Sequence, residues 1–139
     1  MKTYYDFLKY EINNFEGDFD NFILYIPEFF KLLCDLLEED ILKEEKRMIN
    51  TALAYFVVPN DIIPEDIYGP MGYVDDIYVC SVVLKQLYNK YENLICKHWD
   101  YDEDFNSVLS TCYKESHKIL KEKNLIDDIF NYTGLEKEL

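Results

Sequence analysis

Apolar positions along this chain recur mostly at helical spacing, and polar punctuation cuts them into six segments. Thr3 and Asp6 form a [ST]-x-x-[DE] start signal, Leu8, Ile12 and Phe15 follow on one face, and Gly17 ends the run, which predicts a helix over about 3–16. Phe22-Ile23-Leu24-Tyr25-Ile26 is apolar throughout, so periodicity alone does not separate strand from helix there. Pro27 suits a first helical turn and Glu28 its positive end. With Phe30, Leu33, Cys34 and Leu37 marking one face, a second helix is expected over 27–38, with a turn starting near Asp20. Met48, Ala52, Tyr55 and Phe56 line a third helix, over 42–57, which Pro59 ends because the residue before a proline avoids helical geometry.

Residues 58–72 hold three of the four prolines and two of the four glycines, and read as an irregular loop with a single turn after Asp61. A long helix over 73–98 comes next. Between Ile77 and Leu84 it is apolar on every face except Ser81, and a helix apolar all round is buried all round. This segment is therefore expected at the centre of the fold, its second half turning amphipathic through Leu87, Tyr91, Leu94 and Ile95. Asp100 and Glu103 have capping-box spacing and open a fifth helix over 102–123, whose core stripe is Phe105, Val108, Leu109, Cys112, Ser116, Ile119 and Leu120. Leu125 to Tyr132, closed by Gly134, makes a short sixth. The expected fold is all-α: a bundle of five or six helices in one domain spanning 1–139.

Composition fits that reading. Hydrophobic residues make up 49% of the 139, which marks a globular chain, and 13 Tyr with 9 Phe call for a core built from rings. Charge changes the picture more. Against 14 Lys and Arg stand 28 Asp and Glu, a net charge of -14 that repels phosphate backbones and anionic lipid. Nucleic acid is thus not an expected partner, whereas a basic protein or a cation is easier to accommodate. No apolar run approaches the ~20 residues of a bilayer span. The opening Met1 to Asp6 has no signal-like apolar core and the closing Leu135 to Leu139 no lipidation signal, so the expected location is cytoplasmic. Cys34, Cys80, Cys96 and Cys112 form no C-x-x-C pair and fall in apolar helical stretches, so buried free thiols are expected. A zinc site would need Cys96, Cys112, His98 and His117 to converge, at spacings that match no standard zinc motif.

The most informative stretch lies between the third and fourth helices. Pro59-Asn60-Asp61-Ile62-Ile63-Pro64 is followed by Gly72-Tyr73-Val74-Asp75-Asp76. These two pieces resemble the core motif of the YkvA-like family (domain of unknown function 1232). Ile26 to Leu33 is similar to the helix that precedes the motif there, so the resemblance covers about 20–90. Two departures stand out: Glu65-Asp66 occupies the place of a single Asp, and the connector is one residue longer. The resemblance implies a helical fold, frequent association with membranes and occurrence beside ubiquitin-ligase modules, with no defining catalytic activity. It singles out Pro59, Asp61, Pro64, Asp66, Gly72, Asp75 and Asp76.

Two readings of these residues stand. In one, Asp61 caps the turn at Ile62, while Asp75 and Asp76 sit in a first helical turn and favour its dipole. In the other, Asp61, Asp66, Asp75 and Asp76 surround a divalent cation, although the spacing is not that of an EF-hand. Asp76 shares a stripe with Cys80, Val83, Leu87, Tyr91 and Leu94, so it points toward the core. It then needs partners, such as amides, a Tyr hydroxyl, a cation or the sole arginine, Arg47. No nucleophile constellation, phosphate-binding glycine loop or H-E-x-x-H helix is present. The functions compatible with the sequence are a non-catalytic interaction module, a metal-binding protein or metal-dependent hydrolase on the Asp cluster, an acidic antitoxin or inhibitor of a basic partner, and peripheral membrane attachment on the strength of the resemblance alone.

Overall fold

Wherever an expected helix falls among residues 3–13, 21–57 and 73–135, which the computed structural model describes, a helix is found. These are α1 (Tyr4–Asn13), α2 (Ile26–Leu37), α3 (Lys43–Val57), α4 (Val74–His98), α5 (Phe105–Glu122) and α6 (Ile126–Thr133). A 3-10 turn over Asn21–Tyr25 leads into α2 and resolves the ambiguous apolar run as helical. No strand occurs among the described residues.

α4 is the axis of the bundle, and α2, α3 and α5 pack around it. Every residue from Val74 to Leu84 is buried, as the all-round apolar run requires. α1 packs on α2, and α6 on α5. Hydrogen bonds from the Tyr4 hydroxyl to the Phe56 carbonyl (2.9 Å) and from the Tyr5 hydroxyl to Glu28 (3.0 Å) tie α1 to α3 and α2. The aromatic content fills the core as expected. Trp99 and Phe105 meet with ring centres 5.1 Å apart and both pack on Phe29, while Phe30 meets Phe56 edge-on at 5.3 Å.

Several details differ from the sequence reading. The buried face of α2 is Ile26, Phe29, Leu32, Leu33 and Leu36, so Phe30, Cys34 and Leu37 flank it instead of centring it. Adjacent apolar pairs (Phe29-Phe30, Leu32-Leu33, Leu36-Leu37) make that stripe wide, and periodicity then leaves its centre open by one position. On α3, Ile49 is buried and Met48 only partly so. Asp104, not Asp100, caps α5: its carboxylate accepts from the Ser107 N–H and hydroxyl, both at 3.1 Å. Thr3 does cap α1, accepting from the Asp6 N–H at 3.1 Å.

α5 ends in a Schellman motif. Asn124 sits at φ 61°, with Leu125 N–H bonded to the Leu120 carbonyl (2.9 Å) and Asn124 N–H to that of Lys121 (3.0 Å). Asparagine takes the left-handed position that glycine usually fills, while Gly134 (φ 74°) plays that part after α6. α4 departs from helical geometry at Tyr91 (φ -122°, ψ 33°). On a regular helix consecutive side chains diverge by about 100°. Here Lys90 and Tyr91 both reach Glu45 at the start of α3, with the ammonium at 3.1 Å and the Tyr91 hydroxyl donating to the other carboxylate oxygen. Burial pushes the Glu45 carboxyl up, but donors from Tyr91, Leu42 and Lys90 outweigh it and hold the group below its usual range.

All four cysteines are free thiols, but not all are buried: Cys80 and Cys112 are, Cys34 is half-buried, and Cys96 is exposed beside the fully buried Ile95. Burial pushes the Cys112 thiol up to about 12 and the Cys80 thiol well above its ordinary value, where the charge of Asp76 adds to the effect. A thiolate-selective reagent should therefore modify Cys96 first in the native protein and reach Cys80 and Cys112 only on unfolding. Mass spectrometry after timed labelling checks the order, and unfolded, unreduced protein should titrate four thiols. Early labelling of Cys80, or a titre below four, would contradict the packing described.

Candidate functional site

Of the residues singled out by the motif, Asp75 and Asp76 are described. Pro59, Asp61, Pro64, Asp66 and Gly72 lie outside the described residues, as does the expected turn after Asp61. The two aspartates occupy the second and third positions of α4, after Tyr73 and Val74. Tyr73 supplies no side-chain cap. The first amides of a helix lack partners within it, and acidic side chains there meet the positive end of the helix dipole. Asp75 serves both needs, since its Oδ1 accepts from the Asp76 N–H at 3.1 Å.

The second oxygen of Asp75 is engaged across the bundle. Tyr55, two residues before the end of α3, donates its hydroxyl to Oδ2 at 2.8 Å. Both partners are buried, Asp75 with no exposure at all and Tyr55 with 2%. The pair bridges the two helices that flank the motif's proline-rich segment, and its low-dielectric setting strengthens the bond. Asp76 does turn into the core, at 1% exposure, and its charge is felt at the Cys80 thiol one turn on. Helical spacing predicts burial for Asp76 alone. Asp75 is buried as well, and it is the carboxylate that takes the Tyr55 hydroxyl. Arg47, considered as a partner for Asp76, is exposed on α3 and lines a surface cleft with Glu44 and Met48.

Behind this pair, the Tyr55 ring meets Tyr132 of α6 edge-on at 5.7 Å. Thr51, Ala54 and Thr133 complete a shallow cleft of about 270 Å³ around the two rings. Among the described residues no three His, Cys, Asp or Glu side chains gather as metal ligands. That includes the set weighed for zinc: Cys96 is exposed, Cys112 directs its Sγ to the Phe22 carbonyl, and the His117 ring stacks on Tyr113 at 5.8 Å. His98 closes α4 with Nε2 2.6 Å from Glu39 and Nδ1 4.0 Å from Asp35. The His98 hydrogen bond, helped by Lys97, holds the Glu39 carboxyl below its usual range. This group ties the ends of α2 and α4 on the surface.

A second concavity went unnoticed in the sequence because two helices build it together. Between α4 and α5 a groove of about 430 Å³ opens over Leu109, Tyr88 and Tyr113, with Lys85 and Lys114 on its rim. Each contributing residue looks like an ordinary flank of its own helix. Only the antiparallel pairing of α4 with α5 brings them together. Among the described residues, no helix is long and apolar enough to cross a membrane.

Comparison with known proteins adds family membership to this geometry. An uncharacterized protein, ORF9, of Methanothermobacter thermautotrophicus is 30% identical over 132 residues, which cover 91% of this chain and 86% of that protein. No solved structure matches. The model of a family described as "Protein of unknown function (DUF1232)" matches residues 45–82, from the first turn of α3 into the buried half of α4. By this match and the similarity to that relative, the chain belongs to the DUF1232 family.

Proposed function

We propose that the chain is a non-catalytic helical interaction module in which the motif carboxylates brace the junction of α3 and α4. The observation that carries this reading is the inward placement of the motif's described acids. Asp75 and Asp76 are almost wholly removed from solvent, and both oxygens of Asp75 are taken up by Tyr55 and a backbone amide. Groups so placed hold a backbone in position, and function falls to the helical surfaces outside. The net charge of -14 selects a basic protein as the partner those surfaces attract.

The rival reading is a cation site, or a metal-dependent hydrolase, on Asp61, Asp66, Asp75 and Asp76. The same burial supports it, since adjacent carboxylates away from water call for compensating charge. Melting curves with chelator and with millimolar Mg²⁺, Mn²⁺ or Ca²⁺ separate the two, because a ligand that binds only the native state raises its stability. We expect the same melting temperature in every condition for wild type, Asp61→Asn and Asp76→Asn. A metal-dependent rise confined to wild type would replace the bracing role with the cation site. The partner half is tested by retention of basic protein on immobilised chain. Retention should fall as salt rises. A chain that retains none at low salt rules out a basic partner.

A further inference from the structure

We propose that the rings of Tyr25, Trp99 and Tyr101, beside the connection from α4 to α5, form a docking surface for an arginine-bearing segment of a basic protein. Its occupant is the basic partner argued above, so the surface rests on that reading. Tyr101 is 45% exposed although its ring meets two others, Tyr25 edge-on at 5.5 Å and Trp99 at 5.8 Å. Leu24, next to Tyr25 in the chain, is 44% exposed. The rings are held from behind. Trp99 packs on Phe29 and Phe105 and donates its indole N–H to the Glu103 carbonyl at 2.8 Å. The Tyr25 hydroxyl donates to the carboxylate of the same Glu103 at 2.6 Å. Aromatic side chains fixed in this way offer contact area at little entropic cost on binding.

Charge selects the occupant. Residues 99–105 set four acids among three rings. Asp104 caps α5 and Glu103 fastens the rings, which accounts for two of the acids. Asp100 and Asp102 have no such task. Both are exposed, and neither takes a hydrogen bond or ion pair from the described residues. Residues 21–30 and 99–113, which supply the surface, contain no Lys or Arg, and Lys97, just before Trp99, lies 3.6 Å from Glu39. An acidic loop alone would be a solvated face. Exposed rings beside unneutralised carboxylates are the complement of a guanidinium, which stacks on an aromatic face and gives a carboxylate two parallel N–H donors. An ammonium is more strongly hydrated and lacks the planar fork, so arginine is favoured over lysine.

Trp99 is the sole tryptophan, so its emission reports on this surface. The test is a low-salt titration of the full chain with a dye-labelled peptide of six arginines, followed by anisotropy of the dye and by Trp99 emission. We expect both signals to saturate with one midpoint, and a six-lysine peptide to bind about threefold more weakly. Asp100→Asn/Asp102→Asn should weaken the arginine peptide about fivefold. Tyr101→Ser leaves the charge intact and should weaken it about threefold. Glu115→Gln/Glu122→Gln removes the same charge from exposed positions on α5 and should stay within about twofold of wild type. No anisotropy change at all would overturn the basic-partner reading and this surface with it. Four other outcomes would overturn the surface and leave that reading standing: binding with Trp99 emission unmoved, equal affinity for the lysine peptide, full affinity in the Tyr101 and Asp100/Asp102 variants, or an equal loss in the Glu115/Glu122 variant.

Discussion

Leu84→Ala is expected to destabilise the protein by about 2–5 kcal/mol, the range for truncating a well-packed leucine. Leu84 is wholly buried and sits where the all-round buried half of α4 gives way to its amphipathic half. The loss has two parts: the transfer free energy of the removed atoms and the cavity that rigid neighbours fail to close. Collapse is hard here because α4 is hemmed in by α2, α3 and α5, so a shift toward one neighbour opens space beside another. Leu42→Ala is the internal control. Leu42 is 57% exposed just before α3, and its loss should fall within about 0.5 kcal/mol of zero. Urea unfolding followed by circular dichroism measures both. A loss below about 1 kcal/mol at Leu84 would show that the centre of the bundle yields readily, contrary to this account.

The elements whose signal is local were legible in the sequence. The run from Ile77 to Leu84 announces a central helix because no face of it is fit for water, and the stripe from Phe105 to Leu120 marks the inner face of α5 nearly residue for residue. Helix ends were readable where one candidate stood alone, as with the Thr3-Asp6 signal and at Gly134. They were misread where two candidates lay close together, as at Asp100 and Asp104. What escaped depends on partners distant in the chain. The break at Tyr91 coincides with a carboxylate 46 residues earlier, and the α4–α5 groove exists only once two helices pair. The aspartate pair was legible as a motif but not as an arrangement. Helical spacing aims Asp76 at the core, yet nothing in the local pattern of Asp75 names Tyr55, 20 residues away, as its partner.

Tyr55→Phe is expected to cost about 1–3 kcal/mol, the penalty for taking a hydrogen-bond partner from a buried polar group. The ring, and with it the contact to Tyr132, is kept, so the loss reports the hydroxyl and not the packing. Asp75→Asn keeps the shape, removes the charge and leaves an amide that still offers one acceptor. Asp75→Ala removes both acceptors, including the one that takes the Asp76 N–H at the start of α4, and should be the most damaging of the three. If the bond braces α3 against α4, the losses of Tyr55→Phe and Asp75→Ala are not additive. A double-mutant cycle should return a coupling of about 0.5–3 kcal/mol, as for residues in direct contact. Asp76→Ala, in the same poorly solvated turn, should cost about 1–3 kcal/mol by the same reasoning. The measurement is equilibrium unfolding of each variant, repeated with chelator and with millimolar Mg²⁺. The cost of losing the hydroxyl should be the same in both, because the bond it breaks joins two protein groups. A Tyr55→Phe loss below about 0.5 kcal/mol would place this substitution with ordinary surface changes and remove the tie between α3 and α4 from the account of the motif.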